Sequence, residues 1–147
     1  MQPQAADSAR LQRCTELEYL LLGDLREMLE EPITPQGAKW ILAVVEALLD
    51  ALPREHRMKS VDGYLSEVLQ EFPNWNRRVR QLESQYFEMY DKLAELRDEL
   101  EDGRTELFTT QSVVVGLTEW MQLFTNLQRH ESDLLLEAVN TEIGGSG

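Results

Sequence analysis

The chain has 147 residues, a length typical of one domain and large enough to bury a core without a metal or a disulfide. Hydrophobic residues make up 42% of the chain and charged residues 28%, which excludes a disordered protein. The 14 Lys and Arg residues against 27 Asp and Glu residues give a net charge of −13, which repels phosphate backbones and anionic lipid and argues against nucleic-acid and membrane partners. Four helical segments are predicted between breaker residues, and no strand-like alternation is present.

The first two helices are predicted from apolar residues at helical spacing. In the first, over residues 8–30, the apolar stripe consists of Leu11, Cys14, Leu17, Leu21, Leu25 and Met28. Pro32 and Pro35 end this helix, and Thr34 before Pro35 forms a favourable start for the second. The second stripe consists of Ile41, Val44, Val45, Leu48 and Leu52. Because proline lacks the amide N–H, Pro53 predicts a kink or break, after which helical spacing resumes and stops at Pro73.

The third helix, over residues 74–102, carries the most regular pattern in the chain. Its apolar positions alternate spacings of four and three and comprise Trp75, Val79, Leu82, Tyr86, Met89, Leu93, Leu96 and Leu100. A mean period near 3.5 specifies a left-handed helix bundle or coiled coil. Tyr86 places a phenol where the pattern requires an aliphatic side chain. Gly103 is predicted to end this helix.

The fourth helix is predicted from about Thr105 to about Asn140, with Gly144, Gly145 and Gly147 in a frayed tail. Its stripe consists of Leu117, Trp120, Phe124, Leu127, Glu131, Leu134 and Ala138. Glu131 therefore puts a carboxylate on a core stripe, where an unpaired charge is costly. Glu55 falls on the continuation of the second helix's stripe. Two acids directed at a bundle interior indicate a polar core network or the remains of a metal site.

Cys14 is the single cysteine, so no intrachain disulfide is predicted, and a reducing compartment is indicated. No cationic segment followed by an apolar run opens the chain, and no apolar stretch reaches about 18 residues. We therefore expect neither a signal peptide nor a transmembrane helix, and a cytoplasmic location. Four helices with short connections predict an all-α, antiparallel up-down-up-down four-helix bundle. It would form one domain over residues 1–147, with a core at about 8–142.

The motifs of common enzyme classes are missing from the sequence. It has no glycine-rich phosphate loop, no paired cysteines, and no Ser/His/Asp set at recognisable spacing. Only His56 and His130 are present, and neither follows a Glu by three residues as the ferritin-like di-iron signature requires. We therefore expect a protein that is not an enzyme.

Several short segments resemble the hemerythrin-like (HHE cation-binding) domains. They are Asp62, Gly63 and Tyr64 with the following Pro73, residues 82–86, which read Leu-Glu-Ser-Gln-Tyr, and residues 130–138, which read His-Glu-Ser-Asp-Leu-Leu-Leu-Glu-Ala and precede Ile143 and Gly144. The resemblance covers about residues 8–145. It implies a hemerythrin-like four-helix bundle in which histidines and bridging carboxylates of the four helices bind two irons.

Residue by residue, the resemblance implies a site that has lost most of its ligands. The Leu-x-x-Glu-His segment ends in Gln85 and Tyr86 here, and the His-x-x-x-Glu segment of the fourth helix begins with Leu127 and ends with Glu131. On the second helix, Glu55 or His56 matches the histidine, while Lys59 or Ser60 stands at the carboxylate position. The first helix has no histidine. The vestigial ligand positions are thus Glu55, His56, Tyr86, Leu127 and Glu131.

Three functional hypotheses follow. The first is a non-enzymatic bundle that has lost its di-iron site and any cofactor, and acts as a scaffold, a sensor remnant or a binder of an unknown protein partner, as a monomer or homodimer. The second is a metal-binding protein that holds a single cation, iron or another divalent ion, through Glu131, Glu55 and His56, with Tyr86 as an oxygen ligand. The third is an unrelated helical bundle that acts by helix–helix association.

Each candidate residue also has a simpler structural interpretation. His130 lies one position off the core stripe and is expected at the surface, and His56 is expected to be half exposed. Tyr86 either packs in the core with its hydroxyl satisfied or replaces a histidine. Glu131 is expected to pair with Arg129 or Arg78, or else to accept a hydrogen bond from Tyr86 near the bundle centre, beside Leu127. The tryptophans at positions 40, 75 and 120 are expected in the core.

Overall fold

The computed structural model describes residues 5–61, 63–103 and 107–145, and within them the protein is all-helical, without strands. The helices are α1 (Ala5–Glu30), α2 (Pro35–Ser60), α3 (Tyr64–Glu71), α4 (Asn76–Gly103) and α5 (Leu107–Gly145), with a 3₁₀ turn at Pro73–Trp75. No helix among these residues is both long and apolar enough to cross a membrane. Asp62, Thr105 and Gly147, which the sequence analysis used, lie outside the described residues.

The four long helices close into a ring of contacts. α1 packs on α2, α2 on α4, α4 on α5, and α5 returns to α1, while the short α3 packs against α2 and α4. Each long helix therefore has two neighbours and turns one stripe of side chains toward a shared interior. The all-helical bundle predicted from the sequence is confirmed.

Helix boundaries follow the predicted breakers at three of four places. α1 ends before Pro32, α3 ends before Pro73, and α4 ends at Gly103. At the start of α2, the Thr34 hydroxyl accepts a hydrogen bond from the Gly37 amide at 3.0 Å, which satisfies one of the free N–H groups of the first turn.

Two boundary predictions were wrong. α2 continues through Pro53 to Ser60, because buried side chains on both sides of the proline hold the helix in the core. The chain turns instead between Ser60 and Tyr64. The predicted frayed tail is helical at Gly144 and Gly145, since α5 extends to Gly145.

The interior consists of two apolar clusters. The larger one lies between α1, α2, α4 and α5 around Trp120, Leu93 and Leu117. The smaller one lies where α3 covers α4 and α5 and contains Leu65, Val79, Leu82 and Leu134. Leu127 packs against both clusters, so residues close to it in space lie at the junction of the two. The candidate site occupies this junction.

The predicted stripes of α4 and α5 face the interior: most of their residues are buried, and Leu127 and Glu131 of α5 are half-buried, as is Trp75 in the 3₁₀ turn before α4. Within the larger cluster the Trp120 indole donates a hydrogen bond to the Met89 carbonyl at 3.0 Å. Two other predictions for apolar residues were wrong: Trp40 is 60% exposed and Leu17 is 41% exposed. Both lie beside the true inward stripe of their helix, where a large apolar residue reaches solvent.

Candidate functional site

A buried ion-pair cluster joins α2 to α5 at the junction of the two apolar clusters. The Lys59 ammonium lies 2.5 Å from a carboxylate oxygen of Glu55 and 3.1 Å from one of Glu131. Glu55 and Lys59 lie one helical turn apart on α2, so their side chains project from the same face. Glu131 reaches them from α5, where it follows Leu127 on the inward stripe. The cluster therefore has one cation between two carboxylates.

A third acid, Glu18 of α1, lies beside Glu55. Its side chain is 2% exposed, and neither carboxyl oxygen has a hydrogen-bond partner among the described residues. Burial, followed by the neighbouring Glu55 carboxyl, raises the pKa of Glu18 from an ordinary 4.5 to about 10. Glu18 is thus protonated and uncharged at neutral pH.

Glu55 and Lys59 remain charged despite their burial. Burial opposes ionisation of Glu55, but Glu18, Lys59 and a hydrogen bond from the Thr15 hydroxyl at 3.0 Å outweigh it and leave the pKa of Glu55 below its usual value. For Lys59, burial also favours the neutral form, yet the two carboxylates outweigh it and raise its pKa. Of the two neighbouring acids, Glu18 carries the proton, because Glu55 has the Lys59 ammonium and the Thr15 hydroxyl as partners and Glu18 has neither.

The short helix α3 closes the cluster with one hydrogen bond. The Tyr64 hydroxyl donates to the Glu131 carboxylate, on the same oxygen that Lys59 approaches. Burial and the negative charge of Glu131 raise the pKa of Tyr64, so the phenol stays protonated and remains a donor. Tyr64 is the first residue of α3, and Gly63 before it lets the backbone approach the end of α2. The turn after α2 thereby places a donor over Glu131.

A small cavity of about 100 Å³ opens beside the cluster. On its wall the rings of His56 and Tyr86 stack with their centroids 3.9 Å apart and an interplanar angle of 5°. Burial lowers the pKa of His56 and raises that of Tyr86, so both rings are neutral near pH 7. The His56 Nε2 atom lies 3.3 Å from the Ser60 hydroxyl oxygen. The rest of the lining is mostly apolar side chains of α2, α3, α4 and α5, with the polar Glu83 and Gln128 among them.

The structure brings the five positions that the resemblance marks in the sequence to this one cavity. Its lining includes Glu55, His56, Tyr86, Leu127 and Glu131. Of these, Glu55 is buried, while His56 is half-buried, as expected from the sequence. His130 is exposed, as expected, and its Nδ1 atom lies 3.2 Å from the Gln85 side-chain oxygen.

Two predicted partners of Glu131 were wrong. Tyr86 stacks on His56, and the hydrogen bond expected from its hydroxyl is supplied by Tyr64 instead. Arg78 pairs with Glu137 at 2.6 Å and lies over the Trp75 ring, so the cation beside Glu131 is Lys59 rather than an arginine.

Sequence reasoning missed Glu18, Tyr64 and the role of Lys59. The signal for Glu18 is present: positions 11, 14, 18, 21, 25 and 28 alternate three and four strictly, while a stripe through Leu17 does not. Because Leu17 is apolar and Glu18 is charged, the predicted stripe runs through Leu17 and leaves Glu18 out. With that register, each long helix places one polar residue on its inward stripe near the cluster: Glu18, Glu55, Tyr86 and Glu131.

The cluster is poorly suited to a metal ion. Within residues 5–61, 63–103 and 107–145, no three His, Cys, Asp or Glu side chains are grouped so that they could hold one. Glu55 and Glu131 are both paired with Lys59. A cation bound between them would have to displace the ammonium.

No family model, curated protein or solved structure matches this chain. The class of protein is therefore described by its fold and site: an all-helical bundle with a Glu–Lys–Glu cluster in its interior and a small cavity with the stacked rings of His56 and Tyr86 on its wall.

Proposed function

We propose that this protein is a non-enzymatic, hemerythrin-like four-helix bundle that lacks a di-iron centre and acts by binding a partner protein. The observation that carries the proposal is the position of the Lys59 ammonium, 2.5 Å from Glu55 and 3.1 Å from Glu131. A covalently attached cation stands where the resemblance places metal ions. It pairs with both carboxylates and offsets one of their two negative charges without a cofactor.

The charges of the cluster leave little attraction for a divalent ion. Glu18 is neutral, and the two remaining carboxylates share one ammonium, which gives a local charge of −1 instead of the several negative ligands that hard cations require. His56 is the single imidazole at the cavity, and its Nε2 atom lies beside Ser60. Iron bound by histidines and carboxylates needs several imidazoles.

The packing of the helices supports the antiparallel, hemerythrin-like arrangement. Contacts between α4 and α5 run in opposite order along the two helices, from Arg78 with Glu137 through Gln85 with His130 to Lys92 with Glu119. Four polar residues at one level of four inward stripes are also what remains when the ligands of a bundle-centred metal site are replaced.

A metal and stability measurement tests the proposal. Protein purified from iron-replete cells should contain no stoichiometric iron and no oxo-bridge absorption band, and chelators should leave its Tm unchanged because packing and the Lys59 pair hold the centre. The Glu119→Ala variant, which loses only an exposed pair with Lys92, is the matched control for Glu131→Ala. About two equivalents of iron in the wild type, lost in Glu131→Ala, would overturn the proposal.

A further inference from the structure

A basic groove lies on the outer side of α1 and α2, away from the internal cluster. Four arginines line it, two from each helix, and they are Arg10, Arg13, Arg54 and Arg57. The groove has a volume of about 430 Å³ and is open to solvent. The chain has 14 basic residues in total and a net charge of −13. The four positive charges in the groove therefore form a positive patch on a protein whose net charge is strongly negative.

The helical spacing explains why the arginines converge. Arg10 and Arg13 lie three residues apart on α1, and Arg54 and Arg57 lie three apart on α2, so each pair forms one ridge. The helices pack side by side, with the Cys14 thiol donating to the Ala51 carbonyl across them at 3.3 Å. The two ridges become the two walls of one groove.

Internal contacts use only part of this positive charge. Arg54 pairs with Asp50 at 2.9 Å, and both side chains are well exposed, so the pair is weak. The Arg13 Nε atom donates to the Ala9 carbonyl at 3.4 Å, which leaves the other N–H groups of its guanidinium outside that bond. A guanidinium presents five donors in a planar fork that fits a carboxylate with two parallel hydrogen bonds.

The groove also has an apolar side. Leu17 is 41% exposed and half-buried Met58 faces the same space. Walls that carry arginines beside an exposed leucine and a methionine fit an amphipathic ligand better than a small inorganic anion, which has no apolar part to bury.

We propose that this arginine groove binds an acidic segment of a partner protein, in which glutamate or aspartate residues flank a leucine-like side chain. The inference rests on the proposed partner-binding function and names the chemistry of the partner. At physiological salt the Debye length is about 8 Å, so the bound segment responds to the four arginines and to Asp50 beside Arg54, and much less to acids farther away. A long polyanion such as nucleic acid would extend beyond the groove and meet those acids.

The test is a titration of a fluorescein-labelled peptide with a repeating Glu-Glu-Leu sequence, followed by fluorescence anisotropy. Wild-type protein should bind this peptide, bind the Gln-Gln-Leu and Lys-Lys-Leu peptides at least about tenfold more weakly, and lose affinity as salt is raised. The Arg13→Gln/Arg57→Gln double variant should lose at least about tenfold in affinity. The Arg26→Gln/Arg80→Gln variant carries the same charge change at exposed positions outside the groove and should bind as the wild type does.

Circular dichroism and Tm establish that both variants are folded, as the exposure of all four side chains leads us to expect. The proposal is overturned by failure of the wild type to bind the acidic peptide, by equal losses in the two double variants, or by displacement with inorganic phosphate alone. Self-association that disappears in Arg13→Gln/Arg57→Gln without peptide binding would also overturn it, since the occupant would then be a second copy. Bound iron would overturn the proposed function, whereas failed peptide binding overturns this inference alone.

Discussion

The proton on Glu18 is the most consequential single feature at the scale of residues. Its carboxyl is buried without a hydrogen-bond partner among the described residues, and Glu55 beside it is ionised. The folded protein keeps this proton to about pH 10, whereas the unfolded chain releases it near 4.5. A group whose pKa is raised by folding contributes fully below its unfolded pKa, and that contribution declines as pH rises toward the folded value.

The Glu18→Gln variant should therefore gain stability over the wild type as pH rises. The difference in free energy of unfolding between variant and wild type should be small near pH 5 and reach on the order of 3 kcal/mol at pH 7. The wild type loses stability because its unfolded chain releases the Glu18 proton, whereas the amide of the variant has no proton to release. Urea denaturation of both proteins at several pH values between 5 and 9 measures it. Glu16→Gln, an exposed neighbour on α1, is the matched control and should show no such divergence. Parallel stability curves for Glu18→Gln and wild type would contradict the assignment of the proton.

Lys59 determines whether the two charged acids are tolerated. Replacing it by methionine should lower the free energy of unfolding by about 3 kcal/mol at pH 7, because two buried carboxylates lose their cation. The pKa of Glu55 is lowered in the folded state, so its stabilising contribution exists above about 4.5 and is lost as pH falls. The difference in free energy of unfolding between Lys59→Met and the wild type should consequently become smaller as pH falls, because the carboxylates become neutral in acid.

Chemical denaturation at pH 7 and at pH 4 measures this effect, with Lys92→Met as the exposed control that should stay near the wild type. A Lys59→Met variant as stable as Lys92→Met at pH 7 would show that the ion pairs contribute nothing to the fold.

At the scale of elements, the turn between α2 and α3 decides whether Tyr64 reaches Glu131. A Cβ atom at Gly63 would lie 2.1 Å from the Met58 carbonyl oxygen and 2.7 Å from the Lys59 Cα atom. These are backbone atoms, which cannot rotate away. The glycine is therefore required by close approach and not by its φ angle, which is an ordinary −108°.

Gly63→Ala should destabilise the protein by about 2 kcal/mol or more, because the end of α2 must shift and weaken the contacts of Lys59 and Tyr64. For Gly23→Ala, at a position inside α1, we expect the opposite effect, since a Cβ atom at residue 23 would have no neighbouring atom within 4 Å. That variant should gain about 0.5–1 kcal/mol from reduced backbone entropy. Equilibrium urea unfolding compares the two, and a neutral Gly63→Ala would show that this turn has room to relax.

The sequence predicted the helices well where one physical effect dominated. In α4 the alternation from Val79 to Leu100 is unbroken and specifies one inward stripe whatever the partner helix. In α1 two registers compete, through Leu17 or Glu18, and hydrophobicity alone selects the wrong residue. Burial of Glu18 depends on a proton and on Glu55 from another helix, neither of which a local pattern contains.

Pro53 failed as a breaker for a related reason. A proline inside a helix costs about 3 kcal/mol, but Leu48, Leu52 and Glu55 around it are buried, and their burial keeps α2 helical through that position. The sequence indicated which residues lie close together, but it did not indicate which of them contact one another. All five expected residues line one cavity, while the partners of Glu131 came from Lys59 and from α3, whose placement follows from the turn at Gly63.

At the scale of the whole molecule, a polar layer separates two apolar clusters inside a strongly acidic surface. The larger cluster around Trp120 and the smaller one beneath α3 meet at Leu127. Glu131 lies between Phe124 of the first and Leu134 of the second along α5, so the ion pairs fix the register in which the two clusters join. The whole chain has 27 acidic residues against 14 basic ones, and the excess of negative charge at the surface opposes the compact state by repulsion.

This imbalance predicts that salt stabilises the protein. Raising NaCl from about 20 mM to about 500 mM shortens the Debye length from about 20 Å to about 4 Å and removes most of the repulsion between exposed acids, whereas the buried Lys59 pairs are screened much less. We expect Tm at pH 7 to rise by about 3–6 °C, equivalent to one or two kcal/mol for a chain of this size. Calorimetry or circular dichroism melting curves measure the shift.

Near the sequence pI of 4.5 the net charge is small, and the same salt increase should leave Tm almost unchanged. An equal rise at both pH values would point to a general effect of salt on apolar burial, and a fall at pH 7 would mean that attractive surface pairs such as Arg78 with Glu137 outweigh the excess of negative charge.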